Sequence, residues 1–346
     1  MGYKVAVVGA TGAVGQQMLA ILEQRRFAVD ELVPLASPRS AGATVTFRGE
    51  QHPVRVLDEH SFEGVQVALF SAGGSVSEAF APAAAAAGAV VVDNTSAFRM
   101  APDVPLVVPE VNGSAALAAV KDGARRIIAN PNCSTIQMVV ALAPIHRAVG
   151  VERVIVSTYQ SVSGAGAKAI AELADQMKHW AADPTAPLPE PKKFPHPMLF
   201  ECLPQIGDFL AEDEGDSTEE RKMINETRKI FDVPTMRVSA TTVRVPVMSC
   251  HCESVNVETR TRIDPDEARA LLRAADGVEV IDDAPNAAYP LARRAAGQDA
   301  VYVGRIRRDP SHDSALNMWI VSDNLRKGAA LNAIQIAELL HEAGAL

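Results

Sequence analysis

The sequence predicts an α/β fold in two parts: a doubly wound parallel sheet, then an α+β part with a mixed, largely antiparallel sheet. An apolar run at 4–8 enters a glycine-rich turn and then a helical pattern, which indicates the first part. Strand and helix patterns keep alternating up to about residue 130, as is typical of parallel sheets with crossover helices. Strand patterns near 154–160, 236–249, 252–262 and 301–307 indicate the second sheet.

The first turn, Gly9-Ala10-Thr11-Gly12-Ala13-Val14-Gly15, directly follows the strand at 4–8, and apolar residues from Met18 to Leu22 indicate a helix after it. In such a strand–turn–helix unit, glycines let the backbone approach a pyrophosphate, whose charge the helix N-terminus stabilises. The spacing is G-x-x-G-x-x-G instead of the usual G-x-G-x-x-G, so a tight structural turn is the alternative. We interpret the unit as part of a Rossmann-type dinucleotide site.

The second strand pattern, Glu31–Ala36, ends in Ser37-Pro38-Arg39-Ser40. An NAD site usually presents Asp or Glu near this point to bind the ribose diol. Two hydroxyl groups and an arginine suit a 2′-phosphate better, so the sequence favours NADP(H) as the cofactor. The alternative for Arg39 is an ordinary surface charge.

Three more strands are expected at Val65–Ser71, Ala89–Asp93 and Arg126–Ala129, with an alanine-rich helix at Ser77–Ala87 between the first two. Ser71 and Gly73 then fall at the edge of the sheet where ligands bind in doubly wound folds.

The last helical pattern, about Ala329–Ala343, has Leu331 and Ile334 on an apolar face that we expect to pack back on the first part. We therefore predict a dinucleotide-binding domain at 1–130, completed by the C-terminal segment 325–346. A catalytic and dimerisation domain is predicted at 131–324.

A cysteine lies at the turn Asn130-Pro131-Asn132-Cys133-Ser134-Thr135, between an apolar strand pattern and an apolar helical pattern. The N-terminus of a helix stabilises an anion, which lowers the pKa of a thiol and favours the nucleophilic thiolate. Cys133 is therefore a candidate nucleophile, and a buried structural cysteine is the alternative.

Polar groups collect in three segments after this cysteine: 159–164, 242–251 and the predicted helix around 219–222. In one continuous strand Arg244 and His251 would point to opposite faces, so they can converge only if Pro246 or a bulge interrupts the strand. Cys250 and Cys252 would face away from His251, so we predict no metal site here.

Composition restricts the class of protein. The formal net charge of −9 argues against broad nucleic-acid or anionic-membrane binding, so a phosphate site must be built locally. Neither a signal peptide nor a membrane-spanning apolar run is recognised, and four cysteines are typical of reduced thiols in a cytoplasmic protein. The apolar and proline-rich region 165–240 predicts a homodimer, with a tetramer as the alternative.

Taken together, these segments resemble the aspartate-semialdehyde dehydrogenases, NADP-dependent enzymes that reductively dephosphorylate β-aspartyl phosphate. The similarity covers nearly the whole chain. It is carried by GATGAVG at 9–15, NTSAFR at 94–99, NPNCST at 130–135, the segment 158–164 with Thr158 where the family has serine, ERKM at 220–223, RVPV at 244–247, and His251.

The resemblance implies a role for each matching residue. Cys133 would form a thioester with the acyl group, His251 would be the acid–base group because imidazole titrates near working pH, and Gln160 would orient the substrate. Arg244 would bind the α-carboxylate and Glu219 the α-ammonium group. The remaining substrate contacts are expected at Asn132, Arg99 and Lys222, the last two binding the phosphate. Cofactor contacts are expected at Gly9, Thr11, Gly12, Ala13, Val14, Gly15, Ser37, Arg39, Ser40, Ser71, Gly73, Ser163, Gly164 and Asn324.

The resemblance also implies a place in the aspartate pathway to lysine, threonine, methionine and isoleucine, with diaminopimelate on the lysine branch. Other acyl-phosphate reductases share the plan of a Rossmann domain and a nucleophilic cysteine. N-acetyl-γ-glutamyl-phosphate reductase or a relative of glyceraldehyde-3-phosphate dehydrogenase is therefore the enzymatic alternative. A non-catalytic NADP-binding sensor is the alternative from a different class.

Overall fold

The computed structural model describes residues 2–40, 42–121, 125–213 and 215–346. The chain divides into two compact units: one contains residues 1–132, 229–231 and 328–346, and the other contains residues 133–228 and 232–327. Each unit has a large sheet of its own.

The elements up to residue 132 are β1 (Tyr3–Val8), α1 (Ala13–Gln24), β2 (Val29–Ala36), β3 (Thr44–Phe47), β4 (Glu50–Pro53), β5 (Arg55–Val56), β6 (Val67–Phe70), α2 (Gly74–Ala86), β7 (Val90–Asp93), α3 (Pro109–Asn112), α4 (Ser114–Lys121) and β8 (Ile127–Ala129). The elements that follow are α5 (Cys133–Val149), β9 (Val151–Gln160), α6 (Ala167–Ala182), α7 (Thr218–Phe231), β10 (Arg237–Arg244), β11 (His251–Thr259), α8 (Pro265–Arg273), β12 (Val278–Val280), α9 (Ala292–Ala295), β13 (Val301–Arg308), β14 (Ala315–Ser322) and α10 (Leu331–Glu342).

The first unit is built on a parallel sheet in the order β5-β2-β1-β6-β7-β8. This is the doubly wound arrangement, in which the strand order reverses between β1 and β6. Ligands bind such sheets beyond the carboxyl ends of the strands at that point. The turns after β1, β2 and β6 are therefore placed at the expected cofactor edge.

The C-terminal helix belongs to the core of this unit. Leu331 and Ile334 of α10 are fully buried in the same apolar cluster as Met18 of α1 and Val7 of β1. The apolar face predicted for the last helix therefore packs into the core of the first unit.

The second unit carries the sheet β10-β9-β11-β14-β13-β12. β9 pairs in parallel with β10 and antiparallel with β11, and β11 and β13 both pair antiparallel with β14. α5 packs against β9, β11, β13 and β14. The predicted mixed, largely antiparallel sheet is confirmed, and its buried face lies under α5.

One prediction from the strand patterns is wrong. The segment expected as a strand near 236–249 leaves the sheet after Arg244, and the next strand begins at His251. The intervening residues have no regular secondary structure, and Cys250 has a backbone φ of +70°. Arg244 and His251 thus lie on two different strands, which removes the problem of their odd spacing.

The proline-rich stretch 184–197 has no regular secondary structure, as its composition predicts. Within the described part of the chain, every helix is too short or too polar to cross a membrane.

Candidate active site

In the turn after β1, neighbouring backbone lies close to Gly9 and Gly15. A Cβ on Gly15 would lie 2.2 Å from the carbonyl oxygen of Gly9. Gly9 itself has φ +89°, and a Cβ on it would crowd the backbone of Ala72. Side chains at either position would push α1 away from the turn. Gly12 caps α1 and has no side chain of its own to cover the helix N-terminus. The turn therefore has the shape of a phosphate cradle.

The turn after β2 lies beside this cradle. Ser37 leads into a short 3₁₀ turn at Pro38–Ser40, on which Arg39 is exposed. The hydroxyl groups of Thr11 and Ser40 are 3.3 Å apart, so the first and second predicted cofactor segments meet. After β6, the Ser71 hydroxyl donates to the Val8 carbonyl at 3.2 Å, and Gly73 caps α2 with φ +105°.

The residues before the cysteine are fixed by amide and guanidinium hydrogen bonds. The Asn332 side chain donates to the side-chain oxygen of Asn130 at 2.6 Å and to the Val107 carbonyl at 3.0 Å. Arg99 is buried, and it donates to the carbonyls of Asn130 at 2.9 Å and Asn94 at 3.0 Å. Arg99 therefore holds the turn in place, a role that the sequence did not indicate.

Cys133 is the first residue of α5, a helix of 17 residues, and its side chain is partly exposed. The first-turn N–H groups of a helix and its macrodipole favour a negative charge at this position. The thiols of Cys250 and Cys252 are less suited to react, because burial raises the pKa of both to about 12. A partly exposed thiol at a helix N-terminus is the one suited to react.

The predicted partners of Cys133 in this unit form one row across the sheet. Gln160 of β9 pairs with Arg244 of β10 on one side and with His251 of β11 on the other, and His251 also pairs with Ser322 of β14. Directly paired residues point to the same face of a sheet. Ser322 donates to a side chain of α5, so the whole row faces that helix.

The loop after β9 orients two members of this row. The backbone N–H of Ser161 donates to Nδ1 of His251 at 3.1 Å, and the Ser161 carbonyl accepts from Nη1 of Arg244 at 2.7 Å. A Cβ on Gly164 would lie 3.1 Å from both His251 and Arg244. The imidazole and the guanidinium group are therefore neighbours at the surface of Gly164.

His251 is fully buried, and its burial, reinforced by the positive charge of Arg244, lowers its pKa to about 3. The expectation that this ring titrates near working pH is therefore wrong, because the desolvated cation is too costly. Since Nδ1 accepts from Ser161, the neutral ring carries its proton on Nε2. Nε2 has no hydrogen-bond partner among the described residues. The ring can therefore donate a hydrogen bond from Nε2.

Two charged groups of α7 adjoin the row. Glu219 is buried and accepts from Gln160 at 3.2 Å and from Lys222 at 3.3 Å. Burial lowers the pKa of Arg244, while the negative charges of Glu219 and Cys133 raise it. Arg244 therefore lies within electrostatic range of both groups, as its predicted role requires.

Asn324 acts on the same loop. Its side-chain oxygen accepts from the hydroxyls of Ser161 and Ser163 at 3.2 and 3.0 Å and from the backbone N–H of Cys250 at 3.0 Å. Asn324 and Ser163 are both buried, so this network shapes the loop whatever they bind. Their predicted contact with the cofactor stays a prediction.

Sequence reasoning missed Ser161 as the residue that fixes the imidazole, and it missed the buried Glu220. Glu220 accepts from the backbone of Ser217 at 2.6 Å and of Thr242 at 2.8 Å, which joins α7 to β10. Ser161 acts largely through its backbone, which leaves no signal in residue type. Glu220 could have been recognised as a carboxylate three residues after Ser217, the spacing of a capping box.

Two segments of the chain match domains of one known protein family. Residues 4–119 match the NAD-binding domain of semialdehyde dehydrogenases, and residues 142–327 match the semialdehyde dehydrogenase dimerisation domain. The aspartate-semialdehyde dehydrogenase of Aquifex aeolicus (strain VF5) is 54% identical over 346 residues, which cover 99% of each protein.

Two solved structures are similar along their whole length. Aspartate semialdehyde dehydrogenase II from Vibrio cholerae, complexed with ASA, is 50% identical with a TM-score of 0.93 and 99% of each chain covered. Aspartate semialdehyde dehydrogenase with NADP from Candida albicans is 26% identical with a TM-score of 0.77 and 100% of each chain covered.

The fold and these matches define an oxidoreductase of the semialdehyde dehydrogenase class, with a nicotinamide-nucleotide domain. Within that class, the chain belongs to the aspartate-semialdehyde dehydrogenase family. The family and the fold class that the sequence predicted are thereby confirmed.

Proposed function

We propose that the protein reduces L-aspartyl 4-phosphate to L-aspartate 4-semialdehyde and phosphate, with Cys133 as the acyl-accepting nucleophile. The observation that carries this proposal is the row Arg244–Gln160–His251 beneath the helix that begins with Cys133. The aspartate pathway to lysine, threonine, methionine and isoleucine would use this reaction. The four cysteines are free thiols, which supports the predicted cytoplasmic location.

The first step is an acyl transfer. The Cys133 thiolate attacks the acyl carbon, the C–O bond to phosphate breaks, and phosphate leaves with that electron pair, so that a thioester remains on Cys133. The N-terminus of α5 and the nearby Arg244 charge stabilise the thiolate. The thiol therefore needs no strong base in contact with it.

His251 serves as a hydrogen-bond donor in this reaction. Its Nε2–H can stabilise the negative oxygen of a tetrahedral intermediate, and the Ser161 N–H holds the ring in the tautomer that makes this possible. A neutral donor keeps its proton over the whole range in which thiolate is present. Its low pKa is thus compatible with the proposed role.

Arg244 and Glu219 match the two charged groups of an aspartyl substrate. We assign the α-carboxylate to Arg244, whose guanidinium can bind a carboxylate with two parallel bonds, and the α-ammonium group to Glu219. Gln160 donates to Glu219 and so orients it. An N-acetylated substrate has no ammonium group for Glu219, which disfavours the alternative reductase.

The residues at the edge of the first sheet fit a dinucleotide. The glycine cradle at Gly9–Gly15 would receive the pyrophosphate, and Ser37, Arg39 and Ser40 the 2′-phosphate. NADPH, when bound, supplies the hydride that reduces the thioester. Ser163, Gly164 and Asn324 are proposed for the nicotinamide side. We infer that the two compact units are the cofactor-binding and catalytic domains.

Arg99 and Lys222 are proposed as cations for the transferable phosphate, and Asn132 as a further substrate contact. Arg99 already donates to two carbonyls, and Lys222 is paired with Glu219. Both groups are therefore held in place before any phosphate arrives.

The test of the proposed function is phosphate-dependent reduction of NADP⁺ with aspartate semialdehyde as the substrate. We expect turnover with this aldehyde and none with N-acetylglutamate semialdehyde. Turnover with only the N-acetylated aldehyde would assign the chain to the alternative reductase. Binding of NADPH without turnover of either aldehyde would favour the sensor.

Arg39→Ala is expected to weaken NADPH binding at least about tenfold and to change NADH binding by no more than about twofold, because only NADPH has the 2′-phosphate. Dissociation constants from cofactor fluorescence check this. Arg26→Ala, an exposed arginine beyond the other end of α1, is the matched control. Equal losses for both cofactors would contradict the assignment of Arg39.

We also propose a homodimer formed through the region 165–240. Met177, Trp180, Phe200 and Phe209 are exposed there, and the rings of Trp180 and Phe200 are in edge contact at 5.1 Å. Exposed aromatic clusters of this kind are typical of interfaces. The match of residues 142–327 to a dimerisation domain supports the same reading.

Trp180→Glu is expected to shift the protein from dimer toward monomer, because a buried charge would weaken the interface. Light scattering after size-exclusion chromatography measures the mass. Met100→Glu places the same charge on an exposed apolar residue outside the matched dimerisation domain and should leave the mass unchanged. A wild-type tetramer would extend the proposal, and a wild-type monomer would refute it.

A further inference from the structure

A carboxyl group with no role in the proposed reaction lies in the second unit, directly beside the active-site row. Glu253 follows His251 by two residues on β11, so both side chains point to the face under α5. Its cross-strand neighbours are Thr158 and Ile320. Glu253 is 0% exposed. A charged residue type at such a position requires an explanation.

The polar group that acts on this carboxyl is the amide of Gln137, which opposes the effect of burial on its pKa. Gln137 is also 0% exposed and lies one helical turn after Cys133 on α5. Its side-chain oxygen accepts from the Ser322 hydroxyl at 2.7 Å. Ser322 is itself the cross-strand partner of His251.

Neither Glu253 oxygen nor the Gln137 amide nitrogen has another hydrogen-bond partner among the described residues. The carboxyl group of Glu253 and the amide nitrogen of Gln137 do not reach full hydrogen-bond geometry. Each is nevertheless the polar group toward which the other side chain can rotate. Buried polar groups in native proteins are almost always satisfied. The chain Ser322–Gln137–Glu253 thus connects β14, α5 and β11 beneath the site.

Burial favours the neutral form of this carboxyl group. It raises the pKa of Glu253 well above its ordinary value, and neither oxygen accepts a full hydrogen bond from the described residues. A carboxylate here would repel the thiolate at the start of α5 and the anionic substrate. A neutral acid accepts the Gln137 amide hydrogen bond without that repulsion.

We propose that Glu253, buried on β11 beside Gln137, is a positioning residue that fixes the first turns of α5 against the strand of His251. The nucleophile begins that helix, and the hydrogen-bond donor His251 begins that strand. A rotation or slide of α5 would separate the two reacting groups while leaving the substrate-binding charges in place. The role in turnover rests on the proposed function, but the positioning of Cys133 can be measured without any substrate.

The experiment compares Glu253→Leu, which removes the polar group, with Glu253→Gln, which has the shape and neutrality of the protonated acid. We expect Glu253→Leu to lose about tenfold or more in kcat with KM for aspartate semialdehyde within about twofold, and Glu253→Gln to recover most of the loss. The alkylation rate of Cys133 by iodoacetamide should fall in Glu253→Leu and recover in Glu253→Gln. Glu152→Leu, an exposed carboxylate on the neighbouring strand, is the control for lost charge.

Ser322→Ala provides a second variant if Glu253→Leu does not fold, because it removes only the hydroxyl that holds Gln137. It should lower kcat and the alkylation rate in the same direction. Wild-type kcat and alkylation rate in Glu253→Leu or in Ser322→Ala would overturn the proposal. A Glu253→Gln variant as impaired as Glu253→Leu would also overturn it, since the acid would then be needed for its ionisation. Absence of turnover in the wild type would refute the proposed function alone, because the alkylation rates still test the positioning.

Discussion

Cys133→Ser is expected to lower kcat by at least about 10³-fold, because a serine hydroxyl at this position is not ionised. The N-terminus of α5 can stabilise a thiolate but cannot ionise an alcohol whose pKa lies far above neutrality. Binding of NADPH should be unchanged, since the proposed cofactor residues are elsewhere. Steady-state rates with aspartate semialdehyde and phosphate, together with a cofactor titration, measure both effects.

Cys202→Ser is the matched control, because Cys202 is exposed and outside the site. It should keep wild-type turnover, and labelling with iodoacetamide should still inactivate it. A Cys133→Ser variant with turnover comparable to the wild type would remove the thioester from the mechanism. Mass spectrometry of the enzyme mixed with aspartyl phosphate offers a direct view of the acylated Cys133.

His251→Asn is expected to lower kcat by about 10²- to 10³-fold, the usual range for a lost hydrogen-bond donor to an oxyanion. The ring is held with its proton on Nε2 by the Ser161 N–H, so it donates and does not accept from the thiol. The alkylation rate of Cys133 should therefore stay near that of the wild type. A parallel fall of kcat and alkylation rate would show instead that His251 activates the thiol as a base.

The buried ring also predicts how stability depends on pH. The unfolded His251 takes up a proton below about pH 6.5, whereas the folded ring does so only near its pKa of about 3. The unfolded state thus binds more protons between these values, and stability is lost as the pH falls through this window, by about 1.4 kcal/mol per pH unit. Denaturant unfolding of the wild type and His251→Asn at several pH values measures this term as the difference in slope. Parallel curves would contradict a buried, neutral His251.

The sequence predicted the glycine turn and the candidate nucleophile from local signals. Gly9 and Gly15 follow a buried strand and precede a helix, and the structure shows why no side chain fits at either position. Cys133 follows a strand and starts a helix, as its turn predicted. Arg39 is exposed after β2, where the sequence placed it. Each of these positions is decided by a few neighbouring residues.

The arrangement of the partners could not be read in this way. Arg244 and His251 are seven residues apart, so in one continuous strand they converge only with an interruption at Pro246 or a bulge. The structure places them on separate strands on either side of Gln160. The ionisation of His251 depends on burial and on Arg244, and neither is visible from residue type. The strand pattern at 252–262 does not distinguish Glu253 from an exposed acid, and only the fold shows that it is buried.

The sequence by itself determined the family, through the resemblance of its motifs, and the two sheet types, and it predicted a candidate nucleophile. The sheet types and the candidate nucleophile follow from glycine geometry, hydrophobic periodicity and turn chemistry, which act over a few residues. Only the tertiary structure decided the pairing register that aligns Arg244, Gln160, His251 and Ser322, and the protonation states that result from it. Register and desolvation are set by elements far apart in the chain, so they appear only when the sheet is assembled under α5.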